Sequence, residues 1–70
     1  MRLTVNGEAC EREAPDVAAL FAAEAEERGI EGPEGIAIAV NGRVVRKSAW
    51  GQTALNEGDR IEIVRAMQGG

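Results

Sequence analysis

The dipeptide Asn-Gly occurs twice, at Asn6-Gly7 and at Asn41-Gly42, each time between short alternating apolar runs. Few two-residue signals restrict a chain so strongly. A type I′ hairpin turn needs positive φ at both central positions, and Asn followed by Gly tolerates that best. Arg2 to Asn6 alternates Leu3 and Val5 with polar residues, so a first strand enters the first turn. Glu8 to Glu13 leaves it as an antiparallel partner, and its Glu8, Glu11, Arg12 and Glu13 give the charged edge that resists stray pairing. Around the second turn, Ile36, Ile38 and Val40 alternate with Ala37 and Ala39, and Arg43 to Arg46 returns as a short fourth strand.

One helical pattern lies between the hairpins. Asp16, after Pro15, is an N-cap residue for a helix from Val17 to about Arg28, and Gly29 suits the position just past its end. Val17, Leu20, Phe21 and Ala25 form an apolar stripe, while Glu24, Glu26 and Glu27 are expected to look outward. Acids this near the C-terminal end oppose the helix dipole, a small cost that Arg28 partly offsets. The stretch Glu31-Gly32-Pro33-Glu34-Gly35 reads as a loop. Lys47 to Gln52 reads as a short turn of helix whose lone Trp50 closes the core under a loop.

Glu57-Gly58-Asp59 supplies a further turn, and Ile61 and Ile63 then alternate with Glu62 as a last strand. This strand is the most apolar of the set, so it is expected at the sheet centre beside the first strand. The order is hairpin, helix, hairpin, loop, strand. That predicts an α+β fold, a mixed sheet of four to five strands with one helix packed across one face.

Composition narrows what such a fold does. Seventy residues make one domain with a small core. Twelve acidic against eight basic residues leave a net charge of −4, which argues against a nucleic-acid partner. The chain has no histidine and a single cysteine, so most acid–base dyads, His-ligated metals and cysteine-bound iron–sulfur clusters are set aside. No apolar run approaches the roughly 20 residues of a membrane span, and no signal peptide follows Met1, so a cytoplasmic protein with no membrane partner is expected. No glycine-rich loop opens a helix and no GK[ST] signature is present, so no nucleotide site and no cofactor are expected.

What remains is the end of the chain, where Gly69 and Gly70 follow Gln68. Two residues without Cβ let the final carboxylate enter a channel too narrow for other side chains, so the reactive group is read as the C-terminus itself. A trailing end or a cloning scar would look the same, and the fold leading into it must decide. The expected division is a domain over 1–67 and a flexible tail over 68–70. If Ile61 and Ile63 face the helix, Glu62, Val64 and Ala66 share the opposite face with Ala37 and Ala39. With Met67 following, these residues form a candidate docking patch, the alternative being ordinary exposed aliphatics. Cys10 reads as a small buried hydrophobe rather than a sulfur relay.

The sequence also resembles a known family. Val5-Asn6-Gly7-Glu8, the helix opening Val17-Ala18 with Leu20, Ala39-Val40-Asn41-Gly42, Val44-Val45-Arg46 with Trp50 following, Leu55 to Ile63 and the final Gln68-Gly69-Gly70 look like the ThiS sulfur carriers of thiamine thiazole biosynthesis. Val45 departs from the family, which often has proline there. The resemblance implies a β-grasp, ubiquitin-like fold and a protein that is a substrate and carrier, not an enzyme. It implies that the Gly70 carboxylate attacks the α-phosphate of ATP in a ThiF-type adenylating enzyme. The acyl-adenylate then takes sulfur from a sulfur donor protein, and the resulting thiocarboxylate serves thiazole synthase (ThiG). Three other readings share the fold: a MoaD-type small subunit of molybdopterin synthase, a ubiquitin-like modifier that forms isopeptide bonds, and a ligand-binding or structural β-grasp domain that never reacts.

Overall fold

Alternation decides which side of each strand is dry, and both hairpins turn their dry sides toward one helix. The computed structural model describes residues 1–65. Strands β1 (Arg2–Val5) and β2 (Glu8–Glu11) form the first hairpin, and helix α1 spans Val17–Arg28. Strands β3 (Ile36–Val40) and β4 (Arg43–Val45) form the second. A 3₁₀ helix, Lys47–Gln52, then leads to β5 (Arg60–Arg65). The five strands lie in the order β2-β1-β5-β3-β4. β5 is parallel to β1, with Val5 opposite Ile61, and antiparallel to β3, with Ile38 opposite Ile63. The last strand is therefore central.

Local chemistry starts and stops α1 where the residues suggest. The Asp16 carboxylate accepts a hydrogen bond from the Ala19 N–H at 2.8 Å, and Gly29 closes the helix in the left-handed region at φ 71°. Leu3, Val5, Val17, Leu20, Ile36, Ile38, Ile61 and Ile63 fill the space between helix and sheet. Trp50 and Leu55 close its side, and Phe21 packs on Trp50 with ring centroids 5.0 Å apart.

One helical residue departs from the expected pattern. Glu24 is buried, not outward-facing. It lies one turn beyond Leu20 on the same stripe, so the helix carries it inward at the end where the core gives way to Arg12 and Arg28. The Arg12 guanidinium donates to Glu24 Oε2 and to Glu27, and Arg28 donates to Glu24 Oε1 at 2.8 Å. A carboxylate alone there would be costly, whereas one held by two guanidiniums is tolerated. The hydrogen bond that Arg12 donates to Glu24 also holds the Arg12 pKa above its ordinary value.

Both turn asparagines do more than turn. Asn6 and Asn41 each adopt φ 52°, with Gly7 and Gly42 also positive. Their side chains then act on β5. The Ile63 N–H donates to Asn6 Oδ1 at 2.8 Å, and Asn6 Nδ2 donates to the Ile63 carbonyl at 3.3 Å. The amide thus stands in for the next peptide group after β1 has turned away. Asn41 Oδ1 accepts from the Arg60 N–H at 2.9 Å at the start of the same strand. Asn6→Ala loses two hydrogen bonds and a residue type suited to positive φ, so an expected loss of about 2 kcal/mol follows. Asn6→Gly keeps the backbone and loses only the bonds; chemical denaturation giving Asn6→Ala no cost would remove the strand-holding role.

Candidate functional site

The face of the sheet away from α1 carries the candidate site. Directly opposed residues share a face, so the register assembles it. Val64 is opposite Ala37, Glu62 is opposite Ala39, and Ala39 is opposite Val44 on its other side. Thr4 joins them through its pairing with Arg60, and Ala9 through its pairing with Thr4. Val64 and Val44 are the exposed large hydrophobics, at 55% and 78%. The result is an apolar strip of small side chains with Glu62 and Arg60 along β5 at its middle. Such a surface is flat enough to meet a partner closely, because alanines keep the backbone near the contact plane.

Of the predicted patch, Glu62, Val64, Ala37 and Ala39 are brought together on this face. Ala66 and Met67, and with them the candidate reactive pair Gly69 and Gly70, lie outside the described residues. Sequence reading missed Thr4, Ala9, Arg60 and the exposed Val44. The signal for Val44 was present, since in Arg43-Val44-Val45 only one valine can face the core, and Val45 opposite Ile38 is that one. Cys10 is opposite Leu3 on the core side of β2 and is partly buried against the core.

The described surface offers hollows rather than a reaction chamber. One, at the turn end of the sheet, is lined by Thr4, Gly7, Gly42, Arg60, Ile61 and Glu62. Another, beside the end of β5, is lined by Arg28, Ile30, Ile36, Ile63 and Arg65. Among the described residues no group of three or more acidic or cysteine side chains is placed to hold a metal ion, and no helix is long and apolar enough to cross a membrane. What the geometry supplies is a firmly held central strand, described as far as Arg65, flanked by an apolar face.

A five-stranded mixed sheet grasping one helix, with the last strand central, is the β-grasp architecture of ubiquitin-like proteins. The crystal structure of the thiamine biosynthesis protein (ThiS) from Geobacter metallireducens matches all of this chain and all of its own, at 30% identity and a TM-score of 0.79. A solution NMR structure of a thiamine biosynthesis protein from Geobacter metallireducens matches all of this chain and 88% of its own, at 29% identity and a TM-score of 0.73. No curated protein sequence matches with significance. The family model described as "ThiS family" matches residues 2–70, and the chain belongs to that family, the small sulfur carriers of thiamine biosynthesis.

Proposed function

We propose that the protein carries sulfur on its own C-terminus. The Gly70 carboxylate attacks the α-phosphate of ATP in a ThiF-type adenylating enzyme, releasing pyrophosphate. Sulfur from a donor protein then displaces AMP, leaving a thiocarboxylate that thiazole synthase (ThiG) consumes in forming the thiazole ring of thiamine. A free α-carboxylate, with an ordinary pKa of about 3.5, is ionised and a poor acyl donor at neutral pH. Activation therefore has to come from outside, and the chain itself acts as substrate. The observation that carries this reading is the family correspondence, which runs through residue 70 and so includes Gly69-Gly70. The test is intact mass after incubation with ATP, the adenylating enzyme and a sulfur donor. A gain equal to one oxygen-to-sulfur exchange at Gly70 supports the proposal, and no gain removes it. Offering the loaded chain to thiazole synthase or to the molybdopterin synthase large subunit then identifies the acceptor.

The open face is proposed to dock the adenylating enzyme. Val64→Arg puts a charge into the apolar strip while leaving the buried Ile61 and Ile63 in place. Adenylation efficiency is expected to fall roughly 10–100-fold, equivalent to about 1.4–2.8 kcal/mol of interface energy. Val44→Arg, on the same strip, is expected to act in the same direction. Both variants are expected to melt with the parent. Unchanged adenylation in both would mean that the valines are ordinary exposed aliphatics.

A further inference from the structure

The two Asn-Gly turns share a sequence and a backbone shape, but their chemical surroundings differ. An asparagine followed by glycine readily loses its side-chain amide, because the next backbone nitrogen closes a five-membered ring on Cγ and glycine has no Cβ to hinder it. Both pairs are exposed, with positive φ at all four residues. Among the described residues neither Gly7 nor Gly42 donates its N–H to a backbone carbonyl, so each nitrogen is free to act as the nucleophile. A Cβ added at either glycine would meet nothing within 4 Å, which leaves room for water.

Ring closure makes three electrostatic demands, and Asn41-Gly42 meets each. The attacking nitrogen must give up its proton and carry negative charge. Arg43 follows Gly42, exposed and with no ion pair among the described residues, whereas Glu8 follows Gly7. For a unit charge roughly 6 Å away in water, the two signs change such a rate about threefold in opposite directions, about tenfold together. Next, Oδ1 becomes an oxyanion in the tetrahedral intermediate, and the Arg60 N–H already donates to it at 2.9 Å. Lastly, the departing nitrogen must take up a proton. The Asp59 carboxylate favours that charge, since its Oδ1 accepts from Asn41 Nδ2 at 3.0 Å while the Asn56 N–H holds its Oδ2 at 2.8 Å. Asn6 also has a donor on Oδ1, the Ile63 N–H at 2.8 Å, but its Nδ2 faces the neutral Ile63 carbonyl at 3.3 Å. Those bonds are part-buried and tie Asn6 to the middle of β5. The Asn41 bonds are exposed and lie at the strand's beginning, where opening takes less.

We infer that Asn41-Gly42 is a site of self-modification, where Asn41 converts to aspartate and isoaspartate while the folded chain spares Asn6. In the first step the Gly42 nitrogen gives its proton to water and bonds to Asn41 Cγ, and Oδ1 takes the carbonyl electron pair. The oxyanion then re-forms the carbonyl and the Cγ–Nδ2 bond breaks. Nδ2 leaves as ammonia with the electron pair and a proton from water, and a succinimide ring remains. Water next adds to one of the two ring carbonyls. Opening at Cγ restores the main chain and leaves an aspartate. Opening at the backbone carbonyl leaves isoaspartate, whose main chain runs through Cβ and is one carbon longer. The first product sets a carboxylate against Asp59 where a hydrogen bond stood, and the second spoils the tight turn between β3 and β4. Each adds one negative charge beside the start of β5.

The test follows the full chain at mildly alkaline pH in water enriched in heavy oxygen, by intact mass and by peptide mapping with fragment ions that distinguish aspartate from isoaspartate. The mass is expected to rise by the exchange of one NH for one heavy oxygen atom. The change is expected to map to Asn41 and to proceed there about tenfold faster than at Asn6. In urea, where neither side chain is held, Asn6 is expected to convert as well. Arg43→Glu gives the second turn the same neighbour as the first, at an exposed position away from the core, and is expected to slow conversion of Asn41 about tenfold. The inference is overturned if Asn6 converts first or at an equal rate in the folded chain. It is overturned too if the folded chain keeps both asparagines over a period in which the urea-unfolded chain loses them, or if Arg43→Glu converts at the parent's rate.

Discussion

A chain ending at Gly69 is expected to melt with its parent and to gain no sulfur. Deleting Gly70 withdraws the carboxylate by one residue, roughly 3.3–3.6 Å. A reacting carboxylate must meet the α-phosphate at near-attack distance, where a misplacement of about 1 Å can cost ~100-fold. Adding an alanine after Gly70 overshoots by the same length and places a Cβ in the enzyme's channel, so it is expected to fail too. Neither change touches the core, since every buried residue among those described lies at or before Ile63. Cys10→Ser is expected to load normally, because Cys10 lies toward the core on β2, at the sheet's far edge from β4. Intact mass separates the outcomes. Normal loading of the shortened chain, or failure of Cys10→Ser, would show that the chemistry is not at the terminal carboxylate.

The largest stability effect is expected at Trp50. Trp50→Ala removes a side chain left only 5% exposed, and such truncations cost about 3–5 kcal/mol. A domain of this length has a total of roughly 3.5–10 kcal/mol to lose, so the variant stands near the edge of folding. Trp50 ties three elements together. Its ring packs on Phe21 of α1, and its Nε1–H donates to the Val45 carbonyl of β4 at 2.9 Å, while its backbone belongs to the 3₁₀ helix. Trp50→Phe keeps a ring and strands the carbonyl, so a smaller loss of about 1–3 kcal/mol is expected. Urea unfolding reads both. A Trp50→Ala variant within about 1 kcal/mol of the parent would mean that helix and sheet hold together without this clamp.

Much of the candidate site was legible because a strand's period is two. Once Ile61 and Ile63 were assigned inward, Glu62 and Val64 had to face outward, and Ala37 and Ala39 followed by the same rule in β3. Val44 was harder to read, because two adjacent valines do not announce which one is dry. Its assignment came from the pairing of Val45 with Ile38. Glu24 was misread for a related reason. A helix stripe widens or narrows with what it packs against, and nothing local says that Arg12 will arrive from the segment after β2 to neutralise a carboxylate on the buried side.

By itself the sequence determined the elements and their order. Asn-Gly turns, the Asp16 cap, the Gly29 stop and the alternation of β3 and β5 are short-range effects, set by φ preferences and by which side chains avoid water. It also determined the terminal Gly69-Gly70 and the single lysine, which need no fold to be read. The tertiary structure decided what depends on contacts between distant residues. It placed Asn6 beside Ile63, so that a turn residue completes the ladder of a strand 57 residues away. It brought two arginines to Glu24, one from the segment after β2 and one from α1 itself. Those outcomes are fixed by strand order and register, which depend on burying the whole apolar set at once and not on any local preference.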